Sequence, residues 1–174
     1  MAAFLAQKGV KKGDKVAFFL RNSPEFVYSI FAASKLGAIV VPINTFLKED
    51  ELTYILEDSG SSVLIASAVH QKVVNSSKAS SICQFIVLEE ENGAQGEQHF
   101  SFEEALQNQT SVEHTPTNLE DTAVIIYTSG TTGKPKGAML SHKNIFSNAI
   151  SGQKTIKVKP KDRGIVFLPM FHSF

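Results

Sequence analysis

The chain has 174 residues, 43 % hydrophobic and 20 % charged, which excludes a disordered polymer and fits one folded domain or part of a larger one. Its formal net charge is zero, which argues against a general nucleic-acid binder, and no apolar run approaches the roughly 20 residues that a membrane span needs. Cys83 is the lone cysteine, so no internal disulfide and no cysteine metal site can form; the amino terminus is too short in apolar residues for a secretion signal, and the expected setting is the cytoplasm.

In chain order, the first residues resemble the second half of a helix and lead through GVKKGDK into VAFFL (16–20). That run is nearly all apolar and rich in aromatic and β-branched side chains, as in a strand covered on both faces. NSPEFVYSIFAASKLGA is a helix with Ser23 as N-cap, Pro24 at its first position and Gly37 as C-cap. Phe26, Ile30 and Phe31 form its apolar stripe. IVVPI (39–43) is the next strand. LKEDELTYILEDSG opens with Glu49, Asp50 and Glu51, which favour the positive end of a helix dipole. Its Leu52, Ile55 and Leu56 face inward and Gly60 stops it. VLIA (63–66) is a strand, HQKVVNSSKAS a weaker third helix and FIVL (85–88) a further strand. EEENGAQGEQ (89–98) reads as a polar surface loop. Ser101 and Glu104 make a capping box for a short fourth helix. NQTSVEHTPTNLED (108–121) is a connector, and AVIIY (123–127) another buried strand. After a loop, KGAML (136–140) reads as a short strand. Ser141 then caps a helix whose apolar side is Ile145, Phe146, Ala149 and Ile150. IVFL (165–168) has the composition of a last strand. His142, beside the cap, reads as structural; His70, His99 and His114 lie in polar segments and are expected in solvent.

Strands alternating with helices imply an α/β fold, a mainly parallel sheet with flanking helices. Charge divides the chain. Residues 1–121 carry nine Lys+Arg and sixteen Asp+Glu, whereas residues 122–174 carry eight Lys+Arg and one acid, Asp162. Accordingly, 1–121 is expected to be one α/β subdomain, incomplete at its start, and 122–174 to begin the next, incomplete at its end. The basic segment suits a small polyanion; partner surfaces that balance its charge are the other reading. LPMFHSF ends on apolar side chains, so the chain is expected to be a fragment, open to self-association through exposed apolar surface.

The chemistry concentrates in residues 128–136, Thr-Ser-Gly-Thr-Thr-Gly-Lys-Pro-Lys. A Walker loop needs Gly-x4-Gly-Lys-[Ser/Thr] ahead of a helix. Here only two residues separate Gly130 and Gly133, Pro135 replaces the hydroxyl that would bind magnesium, and the proline breaks the helix. The Gly-x-Gly-x-x-Gly dinucleotide fingerprint is absent too. The residue types still suit phosphate. Thr128, Ser129, Thr131 and Thr132 offer hydroxyls, Gly130 and Gly133 let backbone N–H groups turn toward an anion, and Lys134 and Lys136 add charge. Gly137 permits close backbone approach. On composition alone a Ser/Thr/Gly-rich surface turn is the alternative.

YTSGTTGKPKGAMLSHKN resembles the signature loop of the adenylate-forming superfamily, which includes acyl-CoA synthetases and peptide-synthetase adenylation domains. The preceding GVKKGDKVAFFLRNSPEFVYSIFAASKLGAIVVPIN and the following LPMFHSF are similar to the same family, so the resemblance covers essentially the whole chain. It implies part of the large amino-terminal domain of an acyl-CoA synthetase-like fold. It implies a small-molecule carboxylic acid activated by ATP as acyl-AMP and transferred to coenzyme A, with Mg2+. By the same resemblance Thr128, Ser129, Gly130, Thr131, Thr132, Gly133, Lys134 and Lys136 would grip the β- and γ-phosphates, and Thr128 would offer a hydroxyl to the metal. Phe171 and His172 fall where these synthetases carry an aromatic–His pair near the carboxylate, with His172 in the catalytic role. Amino-acid adenylation domains usually carry an Asp there, so an uncharged acyl chain fits better, with an aryl acid second. A buried structural histidine is the other reading of His172. No Tyr-Gly-x-Thr-Glu motif for magnesium and adenine and no Thr-Gly-Asp motif for ribose occur in these residues, and the carboxy-terminal domain with the catalytic lysine that the resemblance implies is expected to lie outside them. The chain alone is therefore expected to be inactive; a non-catalytic binding or assembly module is the competing expectation.

Overall fold

The computed structural model describes residues 1–88, 98–107, 110–128, 133–157 and 159–172. Among these residues seven strands form one sheet: β1 (Lys15–Phe19), β2 (Ile39–Pro42), β3 (Ser61–Ala66), β4 (Phe85–Leu88), β5 (His99–Ser101), β6 (Thr122–Thr128) and β7 (Lys136–Ser141). Their order is β5-β4-β3-β1-β2-β6-β7. Every pairing is parallel except β6 with β7, which is antiparallel. The helices are α1 (Ala2–Gln7), α2 (Pro24–Lys35), α3 (Glu49–Ser59), α4 (Gln71–Ser76), α5 (Ala79–Ile82), α6 (Phe102–Gln107) and α7 (His142–Ile156). This is the mainly parallel α/β sheet with flanking helices that the alternation of patterns predicts.

Strand alternation divides the core into two layers. Val16 and Phe18 of β1 join Phe4, Phe26 and Phe102 from α1, α2 and α6 on one face. Ala17 and Phe19 join Leu52, Ile55 and Leu56 of α3, with Val74 and Ala79 of α4 and α5, on the other. Because each central strand is covered on both sides, it reads in the sequence as an unbroken apolar run.

Local signals set the helix ends. The Ser23 hydroxyl accepts the Phe26 N–H at 3.2 Å. Ser101 accepts the Glu104 N–H at 3.0 Å. Ser141 accepts from Asn144, whose side chain returns to the Ser141 N–H. Helix α2 ends one residue before expectation, with Leu36 as C-cap and Gly37 behind it.

Several expectations need correction. The third helix is broken into a 3-10 turn (Ala68–His70), α4 and α5. β5 was not predicted; it is three residues long and adds to the edge of β4. Residues 165–168 form no strand: they have no ladder partner among the described residues, and Ile165 and Phe167 are exposed. On α7, Ile145, Phe146 and Ala149 are exposed and no residue is fully buried. Phe31 likewise faces outward from α2, where Ser29, Ala32 and Ala33 take the packed face with Phe26. His70 and His99 are half-buried rather than solvated, while His114 is exposed as expected. The His70 ring packs on Phe19 with centroids 4.7 Å apart, and its Nε2 is buried with no hydrogen-bond partner among the described residues. Burial, and for His70 also the Arg21 charge, lowers both pKa values. The polar loop expected at 89–98 lies outside the described residues up to 97. Among the described residues no helix is long and apolar enough to cross a membrane.

Candidate active site at the carboxyl edge of the sheet

In parallel sheets the carboxyl ends of the strands point to one edge, and polar residues placed there converge. Asn22 follows β1, Asn44 follows β2 and Thr128 ends β6. A cavity of about 390 Å³ opens at this edge, lined by Pro42, Asn44, Tyr127, Thr128, Phe171 and His172. A second, of about 250 Å³, lies between Asn44, Glu51 of α3 and the loop limbs at Thr128, Gly133 and Pro135. Asn44 and Thr128 line both. Asn44 is held in an Asx turn, its Oδ1 accepting the Phe46 N–H at 2.9 Å.

The loop limbs are fixed by strand pairing. Thr128 pairs with Lys136 and Tyr127 with Gly137 across β6 and β7. Gly137 is required by close approach: a Cβ there would meet Ile125 Cγ2 at 2.8 Å and Tyr127 Cζ at 3.1 Å. Gly133 is required by conformation, with φ +94 in open space. Thr128, Gly133, Lys134 and Lys136 are exposed. Lys134 extends its Nζ over the Tyr54 ring of α3, 5.1 Å from the centroid. Ser129, Gly130, Thr131 and Thr132 lie outside the described residues.

Phe171 and His172 reach the edge through a segment without regular structure. Asn22 supports it by imitating a paired backbone. Its Nδ2 donates to the Leu168 carbonyl and its Oδ1 accepts the Met170 N–H, both at 2.7 Å. A turn closed by His172 N–H donating to the Pro169 carbonyl at 3.0 Å follows. Phe171 meets Phe46 edge-on, centroids 6.5 Å apart. His172 is exposed at the cavity mouth. The structure thus brings Thr128, Phe171 and His172 together, with Gly133 next to Thr128 in the adjoining cavity.

The family description "AMP-binding enzyme" matches residues 1–174, the whole chain. The chain belongs to this AMP-binding enzyme family. It is 38 % identical over 177 residues to the long-chain-fatty-acid–CoA ligase FadD13 of Mycobacterium tuberculosis, covering 98 % of this chain and 33 % of that protein. It therefore spans about a third of the length of that curated relative. Among solved structures, the N-terminal domain of FACL13 from Mycobacterium tuberculosis superposes with a TM-score of 0.79 at 34 % identity, over 98 % of this chain and 41 % of that one. The o-succinylbenzoate coenzyme A synthetase MenE from Bacillus subtilis, in complex with ATP and magnesium ion, gives a TM-score of 0.79 at 31 % identity, over 98 % and 42 %. The fold is that of an acyl-CoA ligase amino-terminal domain.

Within this AMP-binding chain, sequence reasoning missed Asn22, Asn44 and the Tyr54–Asp58 face of α3. For the first two a signal existed: each is a polar residue just past a buried parallel strand, where ligand edges form. Tyr54 and Asp58 gave none, because what they touch lies far along the chain. Tyr127 donates to Asp58 Oδ2 at 2.6 Å. Burial, then the hydrogen bond and charge of Asp58, holds the Tyr127 hydroxyl well above the usual tyrosine range.

Proposed function

We propose that this chain is the amino-terminal part of an AMP-forming acid–CoA ligase that activates a carboxylic acid, in first place a fatty acid, and passes it to coenzyme A. The observation that carries this reading is that Thr128, at the foot of the loop, lines one cavity with Phe171 and His172. A nucleotide phosphate and a carboxylate would meet there. A carboxylate oxygen attacks the α-phosphorus of ATP, the bond from that phosphorus to the bridging oxygen breaks, and pyrophosphate leaves with the electron pair. The coenzyme A thiol then attacks the acyl carbonyl and AMP departs. In this reading the Thr128 hydroxyl, residues 129–133, Lys134 and Lys136 hold the β- and γ-phosphates, so the chain supplies positioning and charge for a leaving group. His172 and Phe171 bound the carboxylate end of the acid. Magnesium, when bound, would neutralise phosphate charge. Thr128 suits it as a single protein oxygen, since this ion keeps few protein ligands and takes the rest from phosphate and water; among the described residues no cluster of acids, histidines or cysteines competes for it.

The relative's substrate class, a long-chain fatty acid, supports the fatty-acid assignment, and the MenE name keeps an aryl acid as the alternative. The setting would be cytoplasmic. Because the chain spans a third of the ligase it resembles, turnover is assigned to the whole protein and not to these residues alone. Hydroxamate trapping with ATP and a panel of fatty and aryl acids tests this. The full-length protein should turn over a fatty acid best and the 174-residue chain none. Turnover by the short chain would remove the second statement, and inactivity of the full protein the first.

One observation favours a second reading, an assembly module. Exposed Phe31, Leu119, Ile145 and Phe146 surround an apolar cavity of about 550 Å³ between α2 and α7. Size-exclusion chromatography showing only monomer across a wide concentration range would count against it.

A further inference from the structure

The Tyr54 and Asp58 side chains stand four residues apart on α3 and so share one face. From that face they reach both limbs of the loop. Asp58 accepts the Tyr127 hydroxyl, one residue before Thr128, at 2.6 Å. The Tyr54 hydroxyl donates to the Pro135 carbonyl at 3.1 Å on the returning limb. Its ring lies under Lys134 Nζ at 5.1 Å. The hydroxyl oxygens of Tyr54 and Tyr127 thus both lie near one carboxylate, that of Tyr54 at 3.5 Å from Asp58 Oδ1. These contacts do not belong to the β6–β7 ladder, and none is needed to build the sheet. A helix from the other side of β2 has been recruited to hold both ends of one loop.

We propose that Tyr54, Asp58 and Tyr127 are positioning residues that latch the limbs of the loop to α3, with the Tyr54 ring parking Lys134 until a polyphosphate draws it off. The polyphosphate part of this rests on the reading of residues 128–136 as a phosphate loop; the latch itself does not. The physical logic is pre-organisation. A limb already held in place loses less freedom when an anion binds. Lysine over an aromatic face is held weakly enough at an exposed site to leave for a phosphate.

The test uses the 174-residue chain, hydrogen exchange and inorganic tripolyphosphate as probe. In Tyr54→Phe and Asp58→Ala, exchange of those amides of residues 133–137 that are protected in the wild-type chain should rise about fivefold to tenfold, while β1 and β3 amides stay unchanged. Asp58→Asn keeps an acceptor for Tyr127 and should restore most of the protection. Tripolyphosphate affinity should fall about threefold to tenfold in the first two variants and recover in the third. Unchanged limb exchange in both variants, or a rise spread evenly over the sheet, overturns the latch. If the limb responds as stated but the wild-type chain binds no tripolyphosphate, the latch stands and the phosphate-loop reading falls.

Discussion

Removing the Asn22 amide is the sharpest probe of how the Phe171–His172 end is held. In Asn22→Ala both 2.7 Å bonds to Leu168 and Met170 are lost. A net hydrogen bond contributes about 1 kcal/mol, somewhat less where water competes, so the pair contributes about 1–2 kcal/mol. The edge contact of Phe171 with Phe46 survives and contributes about 0.5–1 kcal/mol. At 1.4 kcal/mol per factor of ten, the undocked population of residues 168–172 should rise roughly fivefold to thirtyfold. Exchange at the Met170 amide reads this directly. Its rate should rise by at least that factor, because in the alanine variant this amide also loses its acceptor, while amides of β1 and β3 keep theirs. Asn22→Asp retains the acceptor for Met170 but sets a carboxylate oxygen against the Leu168 carbonyl, so it should loosen the segment as much as alanine does. On the ligase function proposed above, the same variants in the full-length protein should raise KM for the acid more than KM for ATP. Met170 exchange within twofold of wild type in both variants would refute the reasoning, because the segment would then be held by something other than Asn22.

Gly137→Ala should destabilise by about 1–3 kcal/mol through overpacking against Ile125 and Tyr127, read as a lower urea midpoint; an unchanged midpoint contradicts the close approach. Burial pushes the Cys83 thiol from 9.0 up to about 12. The folded chain keeps that proton between these values and the unfolded chain releases it, so stability should fall as pH rises through this window, by at most about 1.4 kcal/mol per pH unit. Cys83→Ser should flatten the slope, and native-state labelling by a thiol reagent near pH 8 as fast as in urea would contradict the burial. Half-buried His70 has a lowered pKa, so the unfolded chain binds the proton first as pH falls through about 6.5. Stability should therefore drop on acidification below that value and His70→Gln should blunt the drop; identical pH profiles would remove His70 as the cause.

The sequence spoke clearly where both faces of a strand are covered. Residues 16–19 of β1 and all of Phe85–Leu88 are apolar because each lies between two helical layers. It was silent for His99–Ser101, three residues at an edge, where too few side chains are buried to leave a pattern. It misled at 165–168 and on α7, since apolar composition records a need for cover and not whether this chain provides it. The loop's residue types were legible, as were its flanking strands. Its neighbours were not: Asp58 lies 69 positions before Tyr127, and Asn22 lies 146 before Leu168. Such partners are set by strand order, and nothing local announces that β2 will stand next to β6.

That order has a consequence for how the molecule is made. Strands β1 to β5 can pair once residue 101 has emerged from the ribosome, but they leave the outer side of β2 open. An apolar strand with an unpaired edge is a template for the wrong chain. The ribosome must add about twenty more residues before Thr122–Thr128 arrives to cover it, and Lys136–Ser141 then becomes the new rim. Any slowing of β6 therefore threatens solubility and chemistry together. A variant that delays this pairing should first be noticed as inclusion bodies rather than as a soluble protein lacking activity.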